Sequence, residues 1–402
     1  MDYLPRRLLA PIVEAMESFP AVLVTGPRQS GKTTLLRREL GAESVYVTFD
    51  DPLEREFVRS DPEGFLDRFE GRRAILDEVQ YVPELFQYLK MRIDRQRQSG
   101  SAAAGRWLLT GSQQFGLMAS VTESLAGRIA ILELLPLGLD EIPADRRGDA
   151  EQAIWYGGYP EPRLRPEVRD LWMRSYVATY VERDVRQLHN VQDLRTFETF
   201  VSLCAARHAQ ELNMAALSRE AGVSQPTVKS WTGALEAAYL VWLLPPYFES
   251  FGKRVVRSPK LYLLDPGLAC TLTRQPSAEA ALAGAMGGAL FEGLVVGEAV
   301  KVFTHGGLRP ELFFWRSHDG LEVDLLVSLG GELLPVEIKS TATPTGRHAR
   351  PLDRFRQAAG AKAAARGLLV CRVPEQRPLP NGHLALPWHH FPAWLRERLA
   401  AA

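Results

Sequence analysis

Cysteine is scarce in this chain, and its distribution excludes the classes of protein that depend on it. The 402 residues include three cysteines, Cys204, Cys270 and Cys371, which are far apart and odd in number. Such spacing provides neither a disulfide framework nor a zinc site. We therefore expect a protein of the reducing cytoplasm.

A surplus of charge is also lacking. The sequence holds 48 basic and 48 acidic residues, so its formal net charge at pH 7 is zero. A neutral chain has no global attraction to nucleic acid or to acidic membranes. Any binding of that kind must come from a local patch.

Long uninterrupted hydrophobic runs are missing as well. The most apolar long window, residues 280–303, is interrupted by Glu292, Glu298 and Lys301, so it is predicted to be a packed helix and not a membrane span. The first ten residues contain an acid and no sustained apolar stretch, which argues against a signal peptide. We expect a soluble protein without a membrane partner, and its length predicts two to four domains.

The strongest motif that is present lies near the N-terminus. An apolar strand over residues 21–25 leads into the pattern G-x-x-x-x-G-K-T and then into a helix, which predicts a cradle for the phosphates of ATP or GTP. A plain glycine-rich turn is the alternative. In the cradle, Lys32 would contact the β and γ phosphates and the Thr33 hydroxyl would bind Mg²⁺. The predicted nucleotide-binding residues of this segment are Gly26, Pro27, Arg28, Gln29, Ser30, Gly31, Lys32, Thr33 and Thr34.

A second motif supports this prediction. Residues 73–80 form a short apolar strand that ends in Asp77 and Glu78. Asp77 would hold Mg²⁺ and its water shell, and Glu78 would orient and polarise the attacking water. Two carboxylates at a strand end also occur in a solvated turn, but the phosphate cradle upstream favours the catalytic interpretation.

The first third of the chain alternates short apolar runs with amphipathic ones. This pattern predicts an α/β domain with a parallel sheet, whose strands are residues 21–25, 44–49, 74–77, 107–110 and 129–134. Ser112 follows the fourth of these strands, so we expect its hydroxyl beside the phosphate loop, where it would bind the γ-phosphate.

Arg128 immediately precedes the fifth strand and has two possible roles. It would either cap the C-terminus of a helix, where a cation is favoured, or reach the γ-phosphate of a neighbouring subunit as an arginine finger. The spacing alone does not distinguish these roles. A finger would require a homo-oligomer.

The middle of the chain predicts helices and then a DNA-binding type of unit. Residues 137–190 are helical in pattern, as expected of a lid. Residues 213–231 have the pattern of a helix-turn-helix, and residues 239–244 and 253–264 are strand-like, as in a wing. Four basic residues would lie on that wing and contact DNA phosphates, namely Lys253, Arg254, Arg257 and Lys260. The alternative is a module that docks on protein.

The last third predicts a three-stranded meander after an apolar helix. Alternation places Glu337 and Lys339 on one face of the third strand. If Asp324 and one of the helix glutamates, Glu292 or Glu298, lie against that face, three carboxylates would bind Mg²⁺ or Mn²⁺ while Lys339 positions or activates water for phosphodiester hydrolysis. A solvent-facing ion pair on a strand is the alternative.

Taken together, these motifs resemble a widespread bacterial and archaeal family of AAA+-type ATP-binding proteins whose C-terminal half is a domain of unknown function. The resemblance covers almost the whole chain. It rests on residues 26–33, 76–80, 110–112, 125–128, 157–160, 180–184, 259–265, 322–324 and 336–339.

This resemblance implies a fold for each part of the chain. It implies an α/β protein with an AAA+-type P-loop sheet and a helical lid, then a winged helix and a domain similar to restriction endonucleases of the PD-(D/E)xK type. The Asp and E-x-K of that type correspond here to Asp324, Glu337 and Lys339, and the helix acid corresponds better to Glu292 than to Glu298. The expected domains are residues 1–136, 137–190, 191–275 and 276–402.

Two functional hypotheses follow. The first is a Mg²⁺-dependent ATPase that couples its nucleotide state to a DNA-directed, nuclease-like C-terminal half. The second is a regulatory ATPase whose C-terminal half binds protein partners and cleaves nothing. Fold resemblance by itself does not choose between them.

Overall fold

The computed structural model describes residues 3–99, 104–112, 121, 123–189, 194–247, 258–317 and 320–401, with the backbone alone for 180–189. The chain forms two compact units. Unit 1 comprises Met1–Leu137, Ala237–Tyr239 and Thr304–Leu308, and unit 2 comprises Gly138–Glu236, Leu240–Phe303 and Arg309–Ala402. No helix within the described ranges is long and apolar enough to cross a membrane. The boundaries of the four predicted domains stay predictions.

Unit 1 alternates strands and helices. Its described helices are α1 (Leu9–Ser18), α2 (Lys32–Leu40), α3 (Pro52–Ser60), α4 (Pro62–Asp67) and α5 (Leu85–Gln98). Its described strands are β1 (Ala21–Thr25), β2 (Ser44–Thr48), β3 (Arg73–Asp77), β4 (Trp107–Thr110) and β5 (Ile129–Glu133).

These strands form one parallel sheet in the order β2-β3-β4-β1-β5. Strand β1, which lies between β4 and β5, is apolar on both faces because helices cover both sides of a parallel sheet. Ala21 and Leu23 pack into one buried cluster, and Val22 and Val24 pack into the other. The predicted α/β fold with a parallel sheet is therefore confirmed. Because all strands run the same way, the loops after β1, β3 and β4 meet at one edge of the sheet.

Unit 2 begins with helices and continues with a small sheet. The helices before the first undescribed gap of this unit are α6 (Ala144–Arg147), α7 (Ala150–Tyr156), α8 (Pro160–Leu164) and α9 (Arg169–His189). The next elements are α10 (Leu194–Ala206), β6 (Gln210–Glu211), α11 (Met214–Ala221), α12 (Gln225–Ala237), β7 (Val241–Leu244) and β8 (Lys260–Leu263). Strands β6, β8 and β7 pair in that order, antiparallel throughout. A winged helix requires this order of elements, but the winged-helix and lid assignments stay predictions.

The C-terminal part of unit 2 contains a mixed sheet. Its helices are α13 (Pro266–Leu272), α14 (Ala278–Ala283), α15 (Gly287–His305), α16 (Arg350–Ala359) and α17 (Phe391–Ala401). Its strands are β9 (Leu312–Arg316), β10 (Glu322–Leu329), β11 (Glu332–Ile338), β12 (Leu368–Cys371), β13 (Arg377–Pro378) and β14 (Leu384–Pro387). Strands β9, β10 and β11 form the antiparallel meander that alternation predicts. Helix α16 then leads to β12, which pairs with β11 in parallel.

The buried Asp265 connects two separate sequence motifs of unit 2, the Gly-Gly-Tyr-Pro turn at residues 157–160 and the segment 259–265. Asp265 caps α13 by accepting from the Leu268 N–H (3.0 Å), and its other oxygen accepts from the Gly158 N–H (2.7 Å). Gly157 has φ 64°, and a Cβ there would overlap the Asp265 carboxylate. The Gly-Gly-Tyr-Pro turn is therefore shaped to receive Asp265, and its role is structural.

A second buried polar group gives unit 2 a pH dependence. His208 accepts from the Leu263 N–H at Nδ1 (2.9 Å) and lies against the backbone of Gly293. Burial lowers the pKa of His208 to about 4 from its usual 6.5. The neutral ring is therefore part of the fold, and protonation opposes folding.

We expect the stability of unit 2 to fall as the pH falls from about 6.5 towards 4. Above pH 6.5 the ring is neutral in both states, whereas below it the unfolded chain takes up the proton first, at a cost of up to roughly 3 kcal/mol. Thermal melts of wild type and His208→Gln across this range measure the effect, with the exposed His390→Gln as a control. An unchanged slope in His208→Gln would show that other groups cause the dependence.

Candidate nucleotide site and acidic cluster

The phosphate loop connects β1 to α2 and is shaped by left-handed backbone. Gly26 (φ 143°) and Gly31 (φ 97°) adopt angles that favour glycine, and a Cβ on Gly26 would overlap the Leu134 carbonyl. Helix α2 begins at Lys32, so its free N–H groups and positive end lie at the loop. Lys32 Nζ donates to the carbonyls of Gly26 (3.1 Å) and Pro27 (2.8 Å). This arrangement is an anion cradle with an ammonium group inside it.

The other predicted residues of the loop have different surroundings. Ser30 is buried, Arg28 is half-buried, and Gln29 has a positive φ of 62° and an exposed side chain. Thr34 lies in the first turn of α2 and is exposed. Their contacts with nucleotide stay predictions.

Arg6 is part of this site, although the sequence analysis did not find it. The buried guanidinium donates to the carbonyls of Ser30 (2.7 Å) and Leu135 (2.7 Å). It thereby holds the phosphate loop to the segment that follows β5. Because the partners lie 24 and 129 residues away in the chain, no local pattern indicates this contact.

Asp77 is the centre of a hydrogen-bond network at the end of β3. Thr33 Oγ1 donates to its Oδ1 (2.7 Å), Tyr46 donates to its Oδ2 (2.9 Å), and the Thr110 hydroxyl also donates to Oδ1. Burial and then the charge of Asp77 raise the pKa of Tyr46 to about 12, so its phenol stays a donor. The network places the oxygens of Thr33 and Asp77 together, as the two predicted Mg²⁺ ligands require.

Glu78 lies next to Asp77 and is held by an amide. The glutamate has φ 59°, in the left-handed region, and its N–H donates to Thr110 Oγ1 (3.2 Å). Gln80 Nε2 donates to the Glu78 carboxylate and to Ser112 Oγ (3.3 Å). The structure therefore joins the predicted water-activating acid to the predicted γ-phosphate contact through Gln80, which the sequence analysis left without a role.

Arg128 has an ion-pair partner on its own chain. Its Nε and Nη2 donate to the two carboxylate oxygens of Asp94 in α5, at 2.7 and 3.0 Å, and both side chains remain partly exposed. This hydrogen bond lowers the pKa of Asp94. A finger role would require Arg128 to exchange Asp94 for a phosphate, and that role stays a prediction.

We expect Arg128→Ala to lower ATP turnover by roughly 10³ or more, the range for an arginine finger, and Asp94→Asn to preserve turnover. Mixing Arg128→Ala with Lys32→Ala should restore part of the activity, because one mixed interface keeps both groups. Steady-state phosphate release measures each sample. Equal losses in the Asp94 and Arg128 variants would instead assign the pair a structural role.

A second group of charged residues lies in unit 2, on β10 and β11. Asp324 Oδ2 accepts from the Ile338 N–H (2.8 Å) and from Lys339 Nζ (3.0 Å), and Lys339 Nζ also lies 2.7 Å from Glu337 Oε1. Asp324 and Glu337 are buried, whereas the Lys339 side chain is 40% exposed. The structure therefore brings together the three strand residues that the E-x-K pattern predicts.

Helix α15 contributes the predicted fourth member, Glu292, through contacts that the sequence did not indicate. Glu292 Oε1 accepts from Lys260 Nζ (2.9 Å) and from the Tyr262 hydroxyl (2.6 Å), and Lys260 also pairs with Glu322 of β10. The predicted DNA contact by Lys260 is therefore wrong, because this lysine is buried in a network of carboxylates. The other three predicted wing residues, Lys253, Arg254 and Arg257, lie outside the described residues.

Glu298, the weaker candidate on the same helix, has a separate structural role. It pairs with Lys301 (2.8 Å) and accepts from the Leu139 N–H (2.7 Å). Glu298 lies about one and two-thirds turns beyond Glu292, so its side chain points to a different side of the helix. Glu292, and not Glu298, is therefore the helix acid that belongs to this group of charged residues.

The acidic cluster is defined here as Glu292, Glu322, Asp324 and Glu337, each of which pairs with Lys260 or Lys339. Burial and then the charge of Asp324 raise the pKa of Glu292 to about 7 and the pKa of Glu337 to about 8. Burial lowers the pKa of Lys260, but the charges of Glu292 and Asp324 outweigh burial and raise this pKa above its usual value. The cluster therefore favours a cation.

The oxygen donors of this cluster are of the type that binds divalent cations, although lysines pair with them in the present conformation. Carboxylate oxygens suit Mg²⁺ and Mn²⁺, and Glu337 Oε2 is buried with no hydrogen-bond partner among the described residues. Within the same residues, no three His, Cys, Asp or Glu side chains are placed to hold one metal ion together. Binding would require the lysines to move.

The parallel sheet, the phosphate loop and the acids after β3 define an AAA-type P-loop ATPase domain. The family model of an AAA domain matches residues 18–143, which contain all of these features. Two models for domains of unknown function, DUF8612 and DUF4143, match residues 147–279 and 287–391. This class of ATPase uses ATP and Mg²⁺.

The chain also has close relatives over most of its length. It is 34% identical over 345 residues to the uncharacterized proteins Rv2008c of Mycobacterium tuberculosis and Mb2031c of Mycobacterium bovis, which covers 85% of this chain and 75% of each relative. The chain belongs to this family of AAA-type ATPases with a C-terminal domain of unknown function. The family predicted from the sequence motifs is therefore confirmed.

Solved structures show more distant similarity. A Walker-type ATPase of Pyrococcus abyssi is 15% identical, with a TM-score of 0.43 over 67% of this chain and 99% of that chain. RuvB of Thermotoga maritima is 16% identical, with a TM-score of 0.30 over 59% of this chain and 89% of that chain.

Proposed function

We propose that this ATPase couples its nucleotide cycle to metal-assisted phosphodiester hydrolysis of nucleic acid by the acidic cluster in unit 2. One observation carries the proposal. Glu292 from α15, Asp324 from β10, and Glu337 with Lys339 from β11 converge although they are scattered over 48 positions of the chain. This convergence favours a site over an isolated surface ion pair.

The order of the surrounding elements supports this proposal. Helix α15, the meander β9-β10-β11, helix α16 and the parallel strand β12 follow each other in the chain. In the sheet that results, β11 with Glu337 lies between β10, which carries Asp324, and β12. Strand alternation then presents Asp324, Glu337 and Lys339 on the face of the sheet that Glu292 approaches.

The residues have distinct chemical tasks in this proposal. Asp324, Glu337 and Glu292 supply hard oxygen ligands for Mg²⁺ or Mn²⁺, and a bound divalent cation would polarise the phosphate and acidify water. Lys339, the partly exposed member, donates hydrogen bonds to the attacking water or to a phosphate oxygen. Because Ile338 N–H and Lys339 both donate to Asp324, the carboxylate is held in a fixed orientation.

Nucleic acid is the proposed substrate because of the unit that precedes the cluster. Helices α11 and α12 have the caps and turn that a helix-turn-helix requires: Asn213 accepts from the Ala216 N–H (2.9 Å), and Gly222 ends α11 in the left-handed conformation. Lys229 on α12 is exposed.

We also propose that the protein forms a homo-oligomer, because the finger role of Arg128 would need a neighbouring subunit.

A regulatory ATPase without nuclease activity is the second candidate. The observation that favours it is the pairing of both lysines, Lys260 and Lys339, with the acidic cluster, because ammonium groups already compensate much of its charge. In that case unit 2 would bind a protein partner and the cluster would be structural.

Cleavage assays test the proposal directly. Wild-type protein is incubated with linear, circular and branched DNA and with RNA, in Mg²⁺ or Mn²⁺, with and without ATP. We expect metal-dependent cleavage of at least one substrate, with a rate that changes on adding ATP. No cleavage under any condition would favour the regulatory ATPase.

A further inference from the structure

Lys260 is buried among two carboxylates and an aromatic ring, which are not the surroundings of a lysine exposed for DNA binding. Its ammonium nitrogen lies 2.9 Å from Glu292 Oε1, pairs with Glu322, and lies 5.7 Å from the ring centre of Phe314. The residue is 4% exposed. Burying a lone ammonium group is costly, so this position is stable only because carboxylates surround it.

We propose that Lys260 is a built-in cation that occupies the acidic cluster and blocks divalent metal binding until strand β8 moves. This inference concerns the regulation of the proposed metal site and rests on that proposed function. Lys339 also contacts two of the acids, Asp324 and Glu337, but it is partly exposed and belongs to the E-x-K pattern itself, so the autoinhibitory role is assigned to the buried Lys260.

The balance of acidic and basic side chains in the cluster supports this role of Lys260. Among the described residues, Lys260 and Lys339 contact the four carboxyl groups of the cluster at short range, and the Arg316 guanidinium lies 4.0 Å from Glu322 Oε2 at its edge. Removing Lys260 leaves Lys339 and this peripheral guanidinium to compensate all four carboxyl groups. Glu337 Oε2 already has no hydrogen-bond partner within the described part of the chain. An acidic pocket that loses its internal cation must take up another cation or protons.

Strand β8 connects the cluster to the small antiparallel sheet. Lys260 and Tyr262 point to the same face of β8 because strand side chains alternate, and both contact Glu292. Strand β8 pairs with β6 and β7, and the segment after β7 bonds to β9 through Tyr247 N–H to the Phe314 carbonyl (2.7 Å). Displacement of β8 by a ligand of the helix-turn-helix would therefore withdraw both donors from Glu292 together.

Metal titration tests this inference with Mn²⁺ as the probe. Free Mn²⁺ is measured by electron paramagnetic resonance without nucleotide, for full-length protein carrying Lys32→Ala to weaken the P-loop site. We expect Lys260→Met to bind Mn²⁺ at least tenfold more tightly than the parent, and adding Asp324→Asn to abolish the gain. Lys301→Met, which removes a similarly buried lysine from its pair with Glu298 on α15, is the matched control and should bind like the parent.

A measurement on the wild type does not depend on whether the variants fold. Amine-reactive labelling followed by mass spectrometry compares the modification of individual lysines with and without Mn²⁺. We expect Mn²⁺ to raise labelling of Lys260 severalfold, because its ammonium group leaves the carboxylates, and to leave Lys301 unchanged.

The outcomes separate this inference from the proposed function. If the parent binds Mn²⁺ in a way that depends on Asp324, while Lys260→Met gains nothing and Lys260 labelling is constant, Lys260 does not block the site and the metal site stands. If no variant binds Mn²⁺ in an Asp324-dependent way, the metal site itself is refuted, and the proposed blocking role of Lys260 is refuted as well.

Discussion

Lys32→Ala is expected to abolish ATP hydrolysis and to weaken nucleotide binding by roughly 10 to 100-fold, the value of a lost hydrogen bond to a charged group. The physical reason is the position of the Lys32 ammonium group inside the phosphate loop, next to the Gly26 and Pro27 carbonyls. Glu78→Gln should behave differently. It should bind ATP normally but turn over roughly 10² to 10⁴ times more slowly, because it loses only the general base.

Phosphate release and equilibrium binding of a fluorescent ATP analogue distinguish the two effects. Arg38→Ala removes an exposed cation from the same helix α2, and Glu70→Gln neutralises an exposed acid of unit 1, so both serve as matched controls. Normal turnover in Lys32→Ala and Glu78→Gln would refute the assignment of the ATP site.

Asp324→Asn is expected to remove the proposed phosphodiester cleavage by roughly 10³-fold or more, because a bound metal supplies several kcal/mol of charge stabilisation. Lys339→Met should reduce the cleavage rate while retaining Mn²⁺ binding, since Lys339 is not a metal ligand in the proposal. ATP hydrolysis measured without nucleic acid should be unchanged in both variants, because these residues belong to unit 2 and not to the ATP site.

Initial rates of cleavage on the best substrate of the wild type measure these effects. Glu332→Gln is the matched control, since it neutralises an exposed acid at the other end of β11. If Asp324→Asn cleaves as fast as the wild type, any observed cleavage arises elsewhere, for instance from a contaminant.

Much of the ATP site is readable from sequence because its chemistry is local. The phosphate loop needs glycine angles, a lysine and a hydroxyl at fixed spacing along one turn, so residues 26–34 are sufficient to predict it. Asp77 and Glu78 are likewise predictable from the end of an apolar strand. Their partners Arg6, Tyr46 and Gln80 are not, because each makes its contact through the tertiary fold.

In the acidic cluster, too, some residues are predictable from local sequence and others are brought in only by the tertiary fold. Period-two alternation predicts that Glu337 and Lys339 share a face of β11, and the helical pattern offers two acids on α15. Only the packing of α15 selects Glu292, by directing Glu298 to Lys301 and the Leu139 N–H.

Lys260 shows most clearly that local composition does not determine the surroundings of a charge. In the chain it follows Lys253, Arg254 and Arg257, so the local composition predicts a basic, exposed wing. In the structure it is buried against Glu292 and Glu322, 32 and 62 positions further along. By itself the sequence determined the strands of the parallel sheet, the meander β9-β10-β11 and the local motifs, because those depend on propensity and periodicity among neighbours. The tertiary structure alone decided which charges meet, because a periodic pattern gives the faces of an element but not the element that covers each face.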